Sequence, residues 1–233
     1  MIPIKDTIPS KQFPIVNWII ILLNLGVFIF ELTLNSSQLT AFFYHYGLVP
    51  SRVVSEIVQN KAGLDINIFT PFFTNMFIHG GFLHILGNMW VLYIFGDNVE
   101  DRMGSIRYLF FYLISGILAS LTHFVLNAGS TVPAIGASGA IAGVMAAYMF
   151  LFPNSKVITL IPLFFILPLF IPIPAFIFIG LWFILQLFSG AVHLVAHDAA
   201  TGIAFWAHVG GFLAGMFLYR YFLRKKVKRQ MRY

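Results

Sequence analysis

Apolar positions gather in this chain into blocks of membrane-spanning length, separated by short polar stretches. Residues 15–34 are apolar except for Asn17, Asn24, Glu31 and Thr33. A spanning helix takes about 20 apolar residues, and this block has that length. It exceeds the apolar core of a signal peptide, and no small-residue cleavage site follows, so the pattern predicts a retained span. Residues 82–95, 106–126 and 136–152 predict three more. The run 157–188 is too long for one simple span. Pro162, Pro168, Pro172 and Pro174 crowd its first half, and proline breaks helices by removing a backbone donor. The fifth span is therefore placed at 174–188, with 157–173 as an irregular, interfacial connection. The sixth is 203–223. The segment 35–80 is mixed, with Phe42, Phe43, Tyr44 and Tyr46 near its start and Phe69, Phe72 and Phe73 near its end. It reads as an amphipathic element at the membrane interface.

Composition agrees with a bilayer solvent. Of 233 residues, 59% are hydrophobic and only 9% charged, which excludes an ordinary soluble domain and a disordered chain. Cysteine is absent, so disulfides, thiolate metal sites and cysteine nucleophiles are excluded.

The charge pattern adds orientation. With six spans and the N-terminus inside, only Arg52 and Lys61 of the 14 cations fall outside. Cations collect on the cytoplasmic side, so both termini are expected there. The chain reads as one domain over 1–233, with a short cytoplasmic segment 1–14 and a basic cytoplasmic tail 224–233. The tail is a juxtamembrane basic run facing anionic lipid rather than a nucleic-acid surface.

Polar residues at membrane depth are costly and mark function or helix-to-helix glue. His84 and Asn88 are four apart and share a helix face. Ser138 follows Gly136-Ala137 and precedes Gly139, at a loop-to-helix junction. The spacing of Gly139 and Gly143 equally suits close helix packing. His208 lies in the last span, ahead of a second small-residue stripe, Gly211 and Gly215. Taken singly, each fits a packing role. All four, however, fall near the outer ends of inward-running spans, at one depth, which glue alone does not require.

Such a set supports acyl transfer. A serine needs a base to take its proton, and histidine is the usual one. The oxyanion that forms needs donors, available from the Asn88 amide, a His84 ring N–H and the Ser138 backbone N–H.

At this point the chain resembles the rhomboid intramembrane serine proteases. The matching stretches are His79-Gly80-Gly81-Phe82-Leu83-His84-Ile85-Leu86-Gly87-Asn88-Met89, Gly136-Ala137-Ser138-Gly139 and Ala207-His208-Val209-Gly210-Gly211-Phe212-Leu213-Ala214-Gly215. The segment from Phe95 to Gly104 resembles the end of the family's second helix. The likeness covers about residues 13–222. It implies an all-α, six-transmembrane-helix bundle with both termini cytoplasmic. The implied activity is a serine endopeptidase (EC 3.4.21 class) cutting peptide bonds in or beside transmembrane segments. Ser138 would be the nucleophile and His208 the base. Asn88, His84 and Ser138 would form the oxyanion hole, with Gly136 and Gly139 supporting. No cofactor or metal is implied. The implied partners are single-span or other transmembrane substrates and the lipid bilayer, not nucleic acid. Glu100 and Arg102 resemble structural positions, the alternative being a solvated loop pair.

Two positions depart from the family pattern. Thr70-Pro71 stands where some relatives have Trp-Arg, and Ala142 where some have an aromatic stacking on the base. His208 must then be held by Trp206 or a neighbouring helix. Asp198, ten residues before His208, is read as a solvated loop carboxylate rather than a third triad member. His193, His197 and Asp198 lack any HExxH context for metal. His123 reads as interfacial or as glue between helices, Asn17 and Asn24 as interhelical hydrogen bonders, and Glu31 as close enough to the outer end to reach water. Two other classes were weighed. A non-proteolytic client binder would lack the serine or histidine. A transporter would favour inverted repeats and discontinuous helices, and no repeat is present. The layout, with no targeting segment, points to a prokaryotic plasma membrane.

Overall fold

The computed structural model describes residues 1–59, 66–163, 167–196 and 204–225. Lys61, His197, Asp198, Lys226, Lys228, Arg229 and Arg232 lie outside the described residues.

The first long helix, α1 (Ile15–Glu31), is followed by α2 (Ser36–Tyr46), α3 (Pro50–Gln59), a 3-10 turn (Ile66–Phe69), the short α4 (Pro71–Thr74) and a second 3-10 turn (Asn75–Phe77). Then come α5 (Phe82–Met103), α6 (Ser105–Leu126), α7 (Ser138–Leu151), α8 (Ala175–Ala196) and α9 (Phe205–Phe222). Each apolar block of the sequence thus holds one long helix. The second block continues as helix to Met103, because Gly104, at φ +83°, is where the chain turns into α6. α6 and residues 175–192 of α8 are long and apolar enough to cross a bilayer. The segment before α5 meets it at a bend of 81°, and the two pass the same test as a bent pair.

At the centre stands α7. Every residue from Gly139 to Tyr148 is buried, the pattern of a helix enclosed on all sides. α9 packs on it backbone to backbone. A β-carbon on Gly211 would stand 1.9 Å from the Gly139 carbonyl oxygen, and one on Gly215 2.2 Å from that of Gly143. Both small-residue stripes are therefore packing surfaces, and Gly139 serves one of them.

The region 157–173 is not irregular. β2 (Lys156–Leu163) and β3 (Leu167–Pro174) form an antiparallel hairpin, and β1 (Ile2–Asp6) joins β2, giving the order β1-β2-β3. The prolines do not prevent this. Pro168, Pro172 and Pro174 share one parity on β3, an outer strand, where proline is tolerated if its missing N–H faces away from the ladder. Nor is the N-terminal segment a free tail. β1 folds back along α5, where the Trp90 indole N–H donates to the Pro3 carbonyl at 2.6 Å.

Three polar side chains lock the helices together at the end of the bundle near Gly104. Glu100 is 3% exposed and accepts the Val16 and Asn17 backbone N–H groups at 3.1 and 2.8 Å. These are donors of the first turn of α1, which has no side-chain cap of its own. Arg102 lies over the Phe152 ring at 4.8 Å. The solvated-loop alternative for this pair is thereby corrected: burial, not water, surrounds Glu100. Asn17 bridges helices, donating to Leu92 O and accepting from the Tyr108 hydroxyl at 2.7 Å. Asn24, by contrast, donates to Ile20 of its own helix. Glu31 does not reach water. It is 3% exposed and accepts the His79 backbone N–H at 3.1 Å, because the turn before α5 folds over the end of α1.

Candidate active site

Ser138 opens α7, and Gly136 sets how it is presented. Gly136 has φ +124°, a backbone conformation suited to glycine. Its N–H donates to the Asn75 carbonyl at 2.9 Å. A β-carbon there would lie 2.7 Å from His84 Nε2 and 3.7 Å from Ser138 Oγ. His84 and Ser138 thus face each other across a gap that only a glycine leaves open.

His208 reaches Ser138 from α9, one turn into the helix. Its Nε2 lies 2.7 Å from Ser138 Oγ. Its Nδ1 lies 2.8 Å from Gln186 Oε1 on α8. The Trp182 ring, also on α8, stands 5.8 Å from the imidazole centroid at 36°. Both residues come from the neighbouring helix, one of the two expected supports for His208. Trp206 points elsewhere, packing beside Gly190. Ala142 is fully buried and leaves the imidazole face to α8.

On α5, His84 and Asn88 lie one turn apart. His84 Nδ1 accepts the Gly80 N–H at 3.3 Å, which leaves Nε2, on the Gly136 side, as the proton-bearing nitrogen in the neutral ring. The His79 ring packs edge-on at 5.1 Å from His84. Asn88 is 8% exposed, and its Nδ2 has no acceptor among the described residues. A buried donor without a partner is unusual and calls for an explanation; the His79 ring nitrogens and the Trp206 indole N–H share this condition among the described residues.

Beside Ser138 lies a cavity of about 20 Å³, room for about one water. Its polar lining includes Asn75, Ser120 and His123. Asn75 Nδ2 donates to Ser120 Oγ at 2.8 Å and to the Pro71 carbonyl. Pro71 takes the first position of α4, where its missing N–H costs nothing, and Thr74 Oγ1 donates to Tyr46 O at 2.6 Å. Thr70-Pro71 therefore anchors the turn that carries Asn75 under Gly136.

Sequence reasoning missed Asn75 and Gln186. Gln186 had a signal, being the lone amide in the run 174–188. Asn75 had none, since it acts through its carbonyl as much as its side chain. Among the described residues no three His, Asp or Glu side chains cluster as metal ligands. Asp198 and His197 lie outside them.

Residues 67–225, more than half of the chain, match the family model of the Rhomboid domain. The RHOMBOID-like protein 5 of Arabidopsis thaliana is 32% identical over 149 residues, 61% of this chain and 40% of that protein. Rhomboid protein 1, mitochondrial, of Saccharomyces cerevisiae is 30% identical over 168 residues, 66% of this chain and 42% of that protein. The human presenilin-associated rhomboid-like protein, mitochondrial, is 30% identical over 98 residues, 41% and 26% of the two chains. The chain spans less than half the length of these relatives. Two of them are mitochondrial by name, which lends no support to a prokaryotic plasma membrane.

Proposed function

The chain belongs to the rhomboid family, and on that premise we propose that it is an intramembrane serine endopeptidase hydrolysing peptide bonds in or next to transmembrane segments of other proteins. The observation that carries this reading is the 2.7 Å approach of Ser138 Oγ to His208 Nε2, beside a small cavity that Ser138 lines.

His208 Nε2 takes the Ser138 proton as Oγ attacks the scissile carbonyl carbon. The carbonyl π electrons move onto oxygen, and the oxyanion is met by the Asn88 amide, the His84 Nε2–H and the Ser138 backbone N–H. Collapse breaks the C–N bond, and His208 returns its proton to the leaving amine. A water then attacks the acyl-serine, with His208 again taking and returning a proton. A regular helix hides its carbonyls in hydrogen bonds, so the substrate unwinds locally before it is cut.

This reading includes a single domain over 1–233, six spanning helices and cytoplasmic segments at both ends. α7, at 14 residues, rises about 21 Å, short of the about 30 Å hydrocarbon core. Enclosure by its neighbours lets it stop below the outer surface, which on this reading leaves Ser138 within reach of water from that side.

The test is cleavage of a fluorescent single-span substrate in proteoliposomes by the wild-type chain, Ser138→Ala and His208→Ala. Cleavage by the wild type and by neither variant is expected. Equal cleavage by Ser138→Ala would sink the assignment.

A further inference from the structure

We propose that Gln186 is the positioning residue of the base: its side-chain carbonyl fixes His208 in the tautomer and orientation that accept the serine proton. The inference rests on the serine-protease reading and adds to it a residue that no family motif quoted above contains.

In a neutral imidazole one nitrogen carries the proton and the other accepts. For His208 to accept from Ser138 Oγ–H, the proton must sit on Nδ1. That N–H then needs an acceptor in a helix interface lined by apolar groups. Gln186 Oε1 lies 2.8 Å from Nδ1, while Nε2 lies 2.7 Å from Ser138 Oγ. A carboxylate would serve the same geometry, but an ionised group on an apolar membrane helix carries a heavy desolvation cost. A neutral amide orients the ring without one.

The contact is held in register by its neighbours on α8. Trp182, four residues earlier and therefore on the same face, covers the imidazole. Phe183 stacks on Phe212, one turn past His208, at 4.1 Å and 17°. These two ring contacts fix α8 against α9 at the level where Gln186 meets Nδ1. Ala142, on the enclosed helix, contributes no ring, so α8 alone supplies both the cover and the acceptor.

The experiment compares wild type, Gln186→Leu and Gln186→Glu by kcat, KM and pH–rate profile on a single-span substrate in proteoliposomes. It also reads the His208 tautomer by ¹⁵N NMR in micelles, assigned by difference against His208→Asn. Leucine keeps the bulk and removes the acceptor. The expected result is a fall in kcat of about 10–100-fold with KM within about twofold, the scale on which a histidine's orienting partner acts. Glutamate restores the acceptor and, as an anion, favours the imidazolium. It is expected to recover most of kcat and to move the acid limb of the profile to higher pH. In the wild type Nδ1 should show the protonated signature and Nε2 the acceptor one, with the populations shifted in Gln186→Leu. Unchanged kcat and profile in Gln186→Leu would overturn the proposal, as would an Nε2-protonated wild type. If the wild-type chain cleaves nothing, the protease reading fails, and the tautomer measurement still decides whether Gln186 holds the ring.

Discussion

Asn88 carries the sharpest prediction at the residue scale, because its Nδ2 is buried and has no acceptor among the described residues. Holding a donor dry and unpaired costs stability, and the return comes only when an oxyanion forms. Asn88→Ala should therefore lower kcat about 10²–10³-fold, the loss of about 2.7–4 kcal/mol of transition-state stabilisation. Its thermal unfolding midpoint in detergent should stay level or rise, since no protein hydrogen bond is removed. A large drop in midpoint would instead assign Asn88 to packing. That Ser138 and His208 would meet was legible in the sequence, because polar side chains at one depth on separate apolar blocks have few bland explanations. Gln186 stood out as a lone amide, but its partner was not legible, because an amide on a helix gives its face only when the partner helix is known. Glu31 was misread for the same reason: its position along α1 was right, but the turn that buries it is a tertiary event.

Contacts between elements depend on absent side chains as much as on present ones. α7 and α9 touch through Gly139, Gly143, Gly211 and Gly215, and a β-carbon on Gly215 would collide with backbone rather than with a movable side chain. Gly215→Val is therefore expected to destabilise the chain by about 1–3 kcal/mol or more, read as a lowered unfolding midpoint, and to displace His208 from Ser138. Loss of activity with an unchanged midpoint would contradict this. The attachment of β1 makes a second prediction. Asp6 Oδ2 accepts from the Asn98 amide at 3.0 Å and from the Tyr148 hydroxyl. Burial raises the Asp6 carboxyl above its ordinary value near 3.8, against the lowering effect of the Tyr148 hydrogen bond. In the window above that ordinary value the folded chain binds more proton than the unfolded one, so stability falls as pH rises through it. Asp6→Asn should flatten this slope without abolishing it, since burial also raises Asp97, to about 6; measured as unfolding midpoint against pH, an identical slope in both chains would exclude Asp6 as a source. The helices were legible from apolar block length. The hairpin was not, since four prolines argue against a helix without distinguishing an irregular loop from a hairpin that puts three of them at one parity on its outer strand.

Topology belongs to the whole molecule, and the proposed even count of spans has two separate supports, one from charge and one from contacts. Counting cations puts both ends of the chain on one side, while leaving open where those ends sit. In the structure the two terminal segments meet: the Arg224 guanidinium donates to Gln12 Oε1 at 2.9 Å, and the Arg224 N–H donates to Arg102 O at 3.1 Å. The Lys11 N–H donates to Asp101 Oδ2 at 2.9 Å, and Arg107 reaches Leu223 O. Residues 11–12, 101–107 and 223–224 therefore share one end of the bundle, where Glu100 also caps α1. Ser138 and the start of α5 belong to the opposite end. A chain entering and leaving at the same end crosses an even number of times, which six spans satisfy. The absence of cysteine makes this directly testable, since any introduced thiol is the only one. Pro9→Cys and Lys225→Cys, both exposed, should resist a membrane-impermeant maleimide added outside sealed, uniformly oriented vesicles, and react once detergent opens them. Ser37→Cys, exposed at the start of α2, should react without detergent. Labelling of Pro9→Cys and Lys225→Cys from opposite sides would break the even count. Labelling of both from outside, with Ser37→Cys protected, would keep the count and invert the orientation, moving Ser138 to the cytoplasmic half and changing which ends of its substrates it could meet.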